Sequence, residues 1–462
     1  MKKALRLFIS LLIWVTACQP AQPLALTATS VSPTTTLIPT FLPTSTQTPA
    51  PTPTATPIPT STPETFAPPL VVDRDWLVTG TDVPALASFD QTLKTYMQKH
   101  GISSGALAVT YKGRLVMAHG YTYRDANFTT QPVSVFRIAS VSKPITAVAV
   151  LKLIQDKKLS LDTHLTDILT LEPPTGKSVD PRLKDVTVAQ LLYHQGGWDI
   201  DQLGYDPMFS DLRISKALGV SLPISQANII TYMSGEPLSF SPGTKYAYSN
   251  YGYMLLGRII EAVSNQPYET YVRQNILEPL GISHTQIGRT LSENRLPREV
   301  TYRSDWKSVS VFDGKTSVFW PDGGWNLENM DSHGGWVSTV IDMARFEASF
   351  DNPKSNPVLG QDMINLMFKA PSGTTGERYY AMGWEVIRWG GNKNTWHTGS
   401  LDGTLSLMVR RFDGADWFVV FNERSSTSDP IGDSYWEIDG LLHTAADGVK
   451  AWPGHDLFQQ LP

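Results

Sequence analysis

The sequence predicts an α/β protein of the α+β kind: an antiparallel sheet flanked by helices, with a mostly helical lobe inserted. Three observations predict it. A strand hairpin stands near the start of the folded part, a strand-rich stretch stands near the end, and a long, mostly helical section separates them. Strands at both ends of the chain make one sheet from distant segments, and hairpin connections make that sheet antiparallel.

The N-terminus begins Met1-Lys2-Lys3-Ala4-Leu5-Arg6, continues with the apolar run Leu7 to Trp14, and closes Val15-Thr16-Ala17-Cys18. A basic start, a short apolar run and small residues describe a secretory signal over 1–17. The run is shorter than the roughly 20 apolar residues of a spanning helix. Val15-Thr16-Ala17-Cys18 resembles the lipobox of bacterial lipoproteins, which implies lipidation of Cys18 and a mature chain held to the outer face of the cell membrane. The alternative is a plain signal peptide containing an incidental cysteine. Cys18 is the only cysteine, so a disulfide framework and a cysteine metal site are excluded. Residues 18–70 are dominated by Thr, Pro, Ser and Ala, with too little apolar surface to offset the entropy of ordering. Such a segment, extended by its prolines, reaches on the order of 100 Å and is expected to be a tether.

Composition turns globular near Val71, and residues 71–462 are expected to form the folded domain, with the helical lobe over about 160–320. Leu86, Phe89, Leu93, Tyr96 and Met97 recur at helical spacing and predict a helix over 85–100. Gly105 to Tyr111 and Arg114 to Tyr121 form a hairpin across Lys112-Gly113. Residues 142–155 read as an apolar helix, with Pro144 tolerated in its first turn. Helices are also expected over 187–192, 253–261, 337–350 and 435–446. Strands are expected over 380–422, including a hairpin turning at Asp413-Gly414. Hydrophobic residues make up 41% of the chain and its net charge is -5, which gives no electrostatic case for a nucleic-acid partner. The oligomeric state is not legible.

Three motifs carry chemistry. Ser140-Val141-Ser142-Lys143 begins the apolar helix, which puts the hydroxyl and the ammonium on one face, about 5–6 Å apart at Cβ. A lysine buried beside other cations loses affinity for its proton and can accept one from the serine. A second Ser-x-x-Lys, Ser304 to Lys307, precedes no apolar helical run and reads as surface loop. Tyr248-Ser249-Asn250 follows the turn-rich Phe240-Ser241-Pro242-Gly243, and Asn250 offers an amide to Lys143 or to a substrate carbonyl. His397-Thr398-Gly399-Ser400 lies in the strand-rich region, where a glycine admits a substrate backbone and the Ser400 N–H is a candidate oxyanion donor. Taken singly, each has a bland reading: a helix cap, a packed tyrosine and a strand ending in a turn.

Together, in this order and more than a hundred residues apart each time, the motifs resemble the serine β-lactamase-like and penicillin-binding-protein family. The similarity is greatest to its class C β-lactamase, esterase and D-aminopeptidase branch. Val186 to His194, Tyr248 to Gly257 and Gly334-Gly335-Trp336 are also similar to that family. The resemblance implies an acyl-enzyme hydrolase of an ester or amide, with Ser140 as nucleophile, Lys143 as its proton partner, and Tyr248 as general base and as the acid that returns a proton to the leaving group; which of Lys143 and Tyr248 takes the serine proton is not legible. It implies a positioning role for Asn250, substrate contacts along His397, Thr398 and Gly399, and an oxyanion pair of backbone N–H groups from Ser140 and Ser400. No metal and no organic cofactor is implied. His397 stands where the family usually has lysine, which weakens the case for substrates bearing a carboxylate. Gln195-Gly196 replaces the usual Thr-Ser and is expected to affect packing alone. His333 reads as a loop histidine rather than a cleft residue, and Trp320, Trp325 and Trp336 read as packing rather than a substrate rim. The competing function is a non-catalytic binding or sensor domain on a membrane-anchored stalk.

Overall fold

The computed structural model describes residues 71–460 apart from 73–74, 126 and 425–430. The signal over 1–17, the tether over 18–70 and Cys18 lie outside the described residues. The strands in chain order are β1 (Val71–Val72), β2 (Trp76–Gly80), β3 (Ser104–Tyr111), β4 (Arg114–Tyr123) and β5 (Phe136–Arg137). Then come β6 (Gln286–Ile287), β7 (Lys307–Val309), β8 (Ser317–Phe319) and β9 (Trp336–Ser338). The last are β10 (Arg378–Tyr380), β11 (Glu385–Trp389), β12 (Asn392–Leu401), β13 (Thr404–Arg410) and β14 (Ala415–Phe421). Nine of them form one sheet in the order β1-β2-β4-β3-β14-β13-β12-β11-β10, antiparallel throughout. The two halves meet where β14 pairs with β3, with Ala415 opposite Tyr111 and Phe421 opposite Gly105. The expected joining of distant segments is therefore what the chain does.

Side chains on β14 alternate between two cores. Trp417, Val419 and Phe421 pack beneath the terminal helices Ala87–His100 and Ile431–Asp447, with Leu93, Met97, Ile438 and Leu442. Phe418 and Val420 face the opposite core, which holds the helices Ser142–Gln155 and Val340–Ala348. Helix Ser142–Gln155 is apolar nearly all round because it is buried nearly all round, from Ser142 to Leu151 without a break.

Several boundaries differ from the sequence expectation. Residues 336–338 form β9 instead of helix, and the helix begins at Val340 behind a Thr339 cap. β9 is needed as the middle strand between β5 and β6, a long-range pairing that no local pattern announces. The helix expected over 253–261 spans Asn250–Ser264, since Ser249 caps it by accepting from Gly252 N. The inserted lobe is helical as far as Leu280, but 286–319 supplies β6 and the β7–β8 hairpin. Trp325 and Trp336 are buried, in line with the packing reading.

Candidate active site

Ser140 lies in a tight turn (Ala139–Val141) that runs straight into helix Ser142–Gln155. Ala139 holds a positive φ of 48°, an uncommon conformation for a residue with a side chain, immediately before Ser140. Three contacts fix it there. Ser142 Oγ donates to the Ala139 carbonyl at 2.6 Å, Ile138 N donates to Trp336 O on β9 at 3.0 Å, and Ser406 Oγ on β13 donates to Ile138 O at 2.7 Å.

One turn along, Lys143 is fully buried. Its Nζ lies 3.0 Å from Ser140 Oγ, 2.8 Å from Asn250 Oδ1 and 2.8 Å from the His333 carbonyl. Burial pushes its pKa well below the ordinary lysine value, against the opposing pull of Asp206. Of the two causes expected from sequence, burial and neighbouring cations, burial is the one at work, since the histidines nearby are themselves held neutral. Asn250 Nδ2 donates to Asp206 Oδ2 at 2.7 Å, while Asp206 Oδ1 accepts from Met208 N at 2.9 Å. Burial raises the Asp206 pKa, and its bonds to Asn250 and Met208 N counter the rise. Asp206, Asn250, Lys143 and Ser140 thus form one chain of contacts.

Tyr248 sits just before the cap of the Asn250–Ser264 helix, its ring centroid 4.7 Å from Lys143 Nζ. Behind it the buried His194 ring lies 4.4 Å from Tyr248 and 4.5 Å from Tyr380. His194 Nδ1 accepts from Ser249 N at 3.1 Å, which holds the Tyr248–Asn250 turn in place. Burial and then Lys143 push the His194 pKa well down.

The opposite wall is β12. It pairs with β11 only as far as Trp396 but with β13 to Leu401, so His397 to Leu401 present an open strand edge. Gly399 packs so closely on the Ala139–Val141 turn that a Cβ there would strike Ile138 O and Ser406 Oγ and lie 3.2 Å from Ser140 N. His397 is 3% exposed; its Nδ1 lies 2.6 Å from Thr398 O and its Nε2 3.0 Å from Tyr380 Oη. A carbonyl only accepts, so Nδ1 carries the proton and Tyr380 donates to Nε2. Burial, then Lys143, pull the His397 pKa down to about 3, so this imidazole is neutral at physiological pH.

Ser140, Tyr248, Asn250, His397, Thr398 and Ser400 line one cavity of about 360 Å3. Lys143 reaches Ser140 from beneath, and Gly399 stands in the wall between Thr398 and Ser400. The structure therefore brings together every sequence-derived site residue except Cys18, which lies outside the described residues. Larger depressions of about 790 and 580 Å3 exist elsewhere, but neither is lined by any residue of the three motifs. Ser304 donates to Asp402 at 2.8 Å beside exposed Asp305 and Trp306, consistent with a surface loop.

One reading is corrected: His333 is a buried residue lining the cavity, not a peripheral loop histidine. Its carbonyl accepts from Lys143, and burial pushes its imidazole pKa well down. Sequence reasoning missed Asp206, Tyr380, Glu385, Phe209 and Tyr246. Asp206-Pro207 signals a local turn cap but gives no hint of Asn250. Among the described residues no cluster of His, Cys, Asp or Glu is arranged to hold a metal ion.

Residues 89–439 match the Beta-lactamase family. "Protein flp" of Staphylococcus aureus is 26% identical over 330 residues, 69% of this chain and 59% of that protein. The alignment thus spans about three fifths of that relative's length. An octameric penicillin-binding protein homologue from Pyrococcus abyssi superposes with a TM-score of 0.57 at 23% identity, covering 79% of this chain and 78% of that one. D-amino acid amidase from Ochrobactrum anthropi SV3, complexed with D-phenylalanine, gives 0.58 at 22% identity over 79% and 100%. With the matched span covering most of the chain and the fold shared with such structures, the protein belongs to the beta-lactamase family.

Proposed function

We propose that the protein is a serine hydrolase that cleaves an ester or amide through an acyl-enzyme on Ser140. The observation that carries this reading is the three-way placement of Lys143 Nζ among Ser140 Oγ, Asn250 Oδ1 and the His333 carbonyl. The carbonyl oxygens of Asn250 and His333 can only accept, whereas the serine hydroxyl can also donate. A neutral lysine satisfies both acceptors with its two hydrogens and turns its lone pair to Ser140. Burial favours that neutral form.

Ser140 Oγ then attacks the substrate carbonyl carbon while its proton passes to Lys143 Nζ. The carbonyl electron pair moves onto oxygen, where the backbone N–H groups of Ser140 and Ser400 stabilise it. Collapse expels the amine or alcohol, which takes a proton relayed from Lys143 through Tyr248. Water attacks the acyl-enzyme by the reverse relay and frees Ser140. Asn250, held by Asp206, keeps Nζ in place. The amidase among the structural neighbours favours amides as well as esters.

Cys18 and the Thr/Pro-rich segment behind it support the further reading that the domain is exported and lipid-anchored on a long tether. Turnover of p-nitrophenyl acetate, D-phenylalaninamide and nitrocefin by the wild type and by S140A tests the chemistry. Hydrolysis of at least one of the three, lost on the order of 10^4-fold or more in S140A, is expected. Probe-resistant, inactive protein that still binds such ligands would favour the sensor alternative.

A further inference from the structure

Among the described residues lining the catalytic cavity, Glu385 is the one carboxylic acid, and neither lysine nor arginine lines it. It opens β11 immediately after the turn formed by Ala381 N donating to Trp384 O. That turn is pressed onto the first turn of the catalytic helix. At Gly383 (φ +83°) a Cβ would stand 2.7 Å from the Ala147 side chain and 3.1 Å from Lys143 O. Burial raises the phenol pKa of Tyr246, another wall residue, and Glu385 is close enough to add to the rise.

The carboxylate is held by an arginine. Arg378 Nε and one terminal nitrogen lie 3.0 and 2.8 Å from Glu385 Oε2. The guanidinium is clamped in turn, 5.0 Å from the ring centroid of Trp396 and 4.8 Å from that of Trp436. Both arginine contacts go to Oε2, so Oε1 keeps its acceptor capacity, and the orientation of the pair is fixed before any ligand arrives. Phe209 and Tyr246 add apolar wall. A cavity of about 360 Å3 suits a ligand the size of one amino acid derivative.

We propose that Glu385 selects substrates bearing a free ammonium group, namely small aminoacyl amides or esters, with Arg378 as its positioning residue. This rests on the serine-hydrolase reading above and narrows its substrate class. Recognition of a cation by a hydrogen-bonded carboxylate corresponds to roughly ten- to a hundredfold in affinity.

The test uses two isosteres, D-phenylalaninamide and 3-phenylpropanamide, which differ only in the amine. Calorimetric binding to S140A should favour the amine at least tenfold at pH 6.5. The advantage should fade as pH rises through about 8, where an α-amine loses its proton. E385Q in the same background should abolish it while leaving 3-phenylpropanamide binding intact, which also shows that the variant is folded. Arg378→Gln and Trp436→Ala should each reduce it. In the active enzyme the corresponding p-nitroanilides should show the same ratio, carried in KM. Equal binding of the two amides to S140A, or an E385Q effect on both alike, overturns the proposal. A preserved binding ratio without turnover of either anilide would instead sink the hydrolase reading and leave Glu385 as the cation-selecting group.

Discussion

Lys143 Nζ stands 3.0 Å from Ser140 Oγ in a setting where its other two contacts are obligate acceptors, Asn250 Oδ1 and the His333 carbonyl. An ammonium there is costly because it is fully desolvated, and only Asp206, one residue further out, favours the charge. The balance between burial and that carboxylate sets the protonation of the base. It also makes Asp206 a tuning residue as well as an anchor for Asn250.

Asp206→Asn therefore has two separable effects. Removing a charge that raises the Lys143 pKa moves the acidic limb of kcat/KM to lower pH. Loosening Asn250 lowers the plateau by about tenfold. A pH–rate series on both proteins reads the two effects apart; a limb displaced to higher pH would contradict this account of Lys143.

The pH profile of the wild type follows from the same signs. In the proposed mechanism Lys143 acts unprotonated, and its pKa is depressed, so activity should be lost as pH falls through that lowered value and sustained at neutral to alkaline pH. His397, at about 3, is neutral throughout pH 5 to 9 and adds no inflection there. His397→Asn should alter the rate but leave the acidic limb where it is. A limb that moves with that substitution would give His397 the role assigned here to Lys143.

Gly399→Ala tests the closeness of β12 to the nucleophile. Its methyl group meets Ile138 O and Ser406 Oγ, so either β12 or the Ala139–Val141 turn must shift. Displacement of that order costs about 100-fold in kcat. Steady-state kinetics alongside a thermal melt checks it, since the loss of rate should far exceed what any fall in Tm explains. A variant of wild-type activity would show that the Ser400 N–H edge is not part of the reacting geometry.

Cys18→Ala tests the anchor. If Cys18 is lipidated, the mature wild-type chain starts there and fractionates with membrane, and the variant is released or left unprocessed. Sequencing of the mature N-terminus decides it; any start other than Cys18 removes the anchor from the account.

The layered fold was legible because its strands alternate and its hairpins turn at Lys112-Gly113 and Asp413-Gly414, signals that are local. The motif residues were legible because Ser140 and Lys143 are three residues apart where the Ala139–Val141 turn runs into helix Ser142–Gln155, and that spacing puts them side by side. What was hidden is non-local. β9 is a strand only because β5 and β6 flank it, and Asp206 matters only because a distant Asn250 reaches it. His333 acts through its backbone carbonyl, which no side-chain pattern encodes. Glu385 faces the cavity only because the Ala381–Trp384 turn packs on the catalytic helix. The neighbouring cations expected beside Lys143 are absent for the same reason, because whether the nearby histidines are neutral depends on their burial in the whole fold.

The central claim, that Ser140 is a nucleophile made reactive by Lys143, is tested most directly by labelling with a fluorophosphonate and mapping the adduct by peptide mass spectrometry. The account predicts one adduct, on Ser140, absent from S140A, slowed by at least about 100-fold in Lys143→Ala and unaffected in Ser304→Ala. An adduct on Ser304, or a wild-type protein that takes no label while remaining folded, would contradict it.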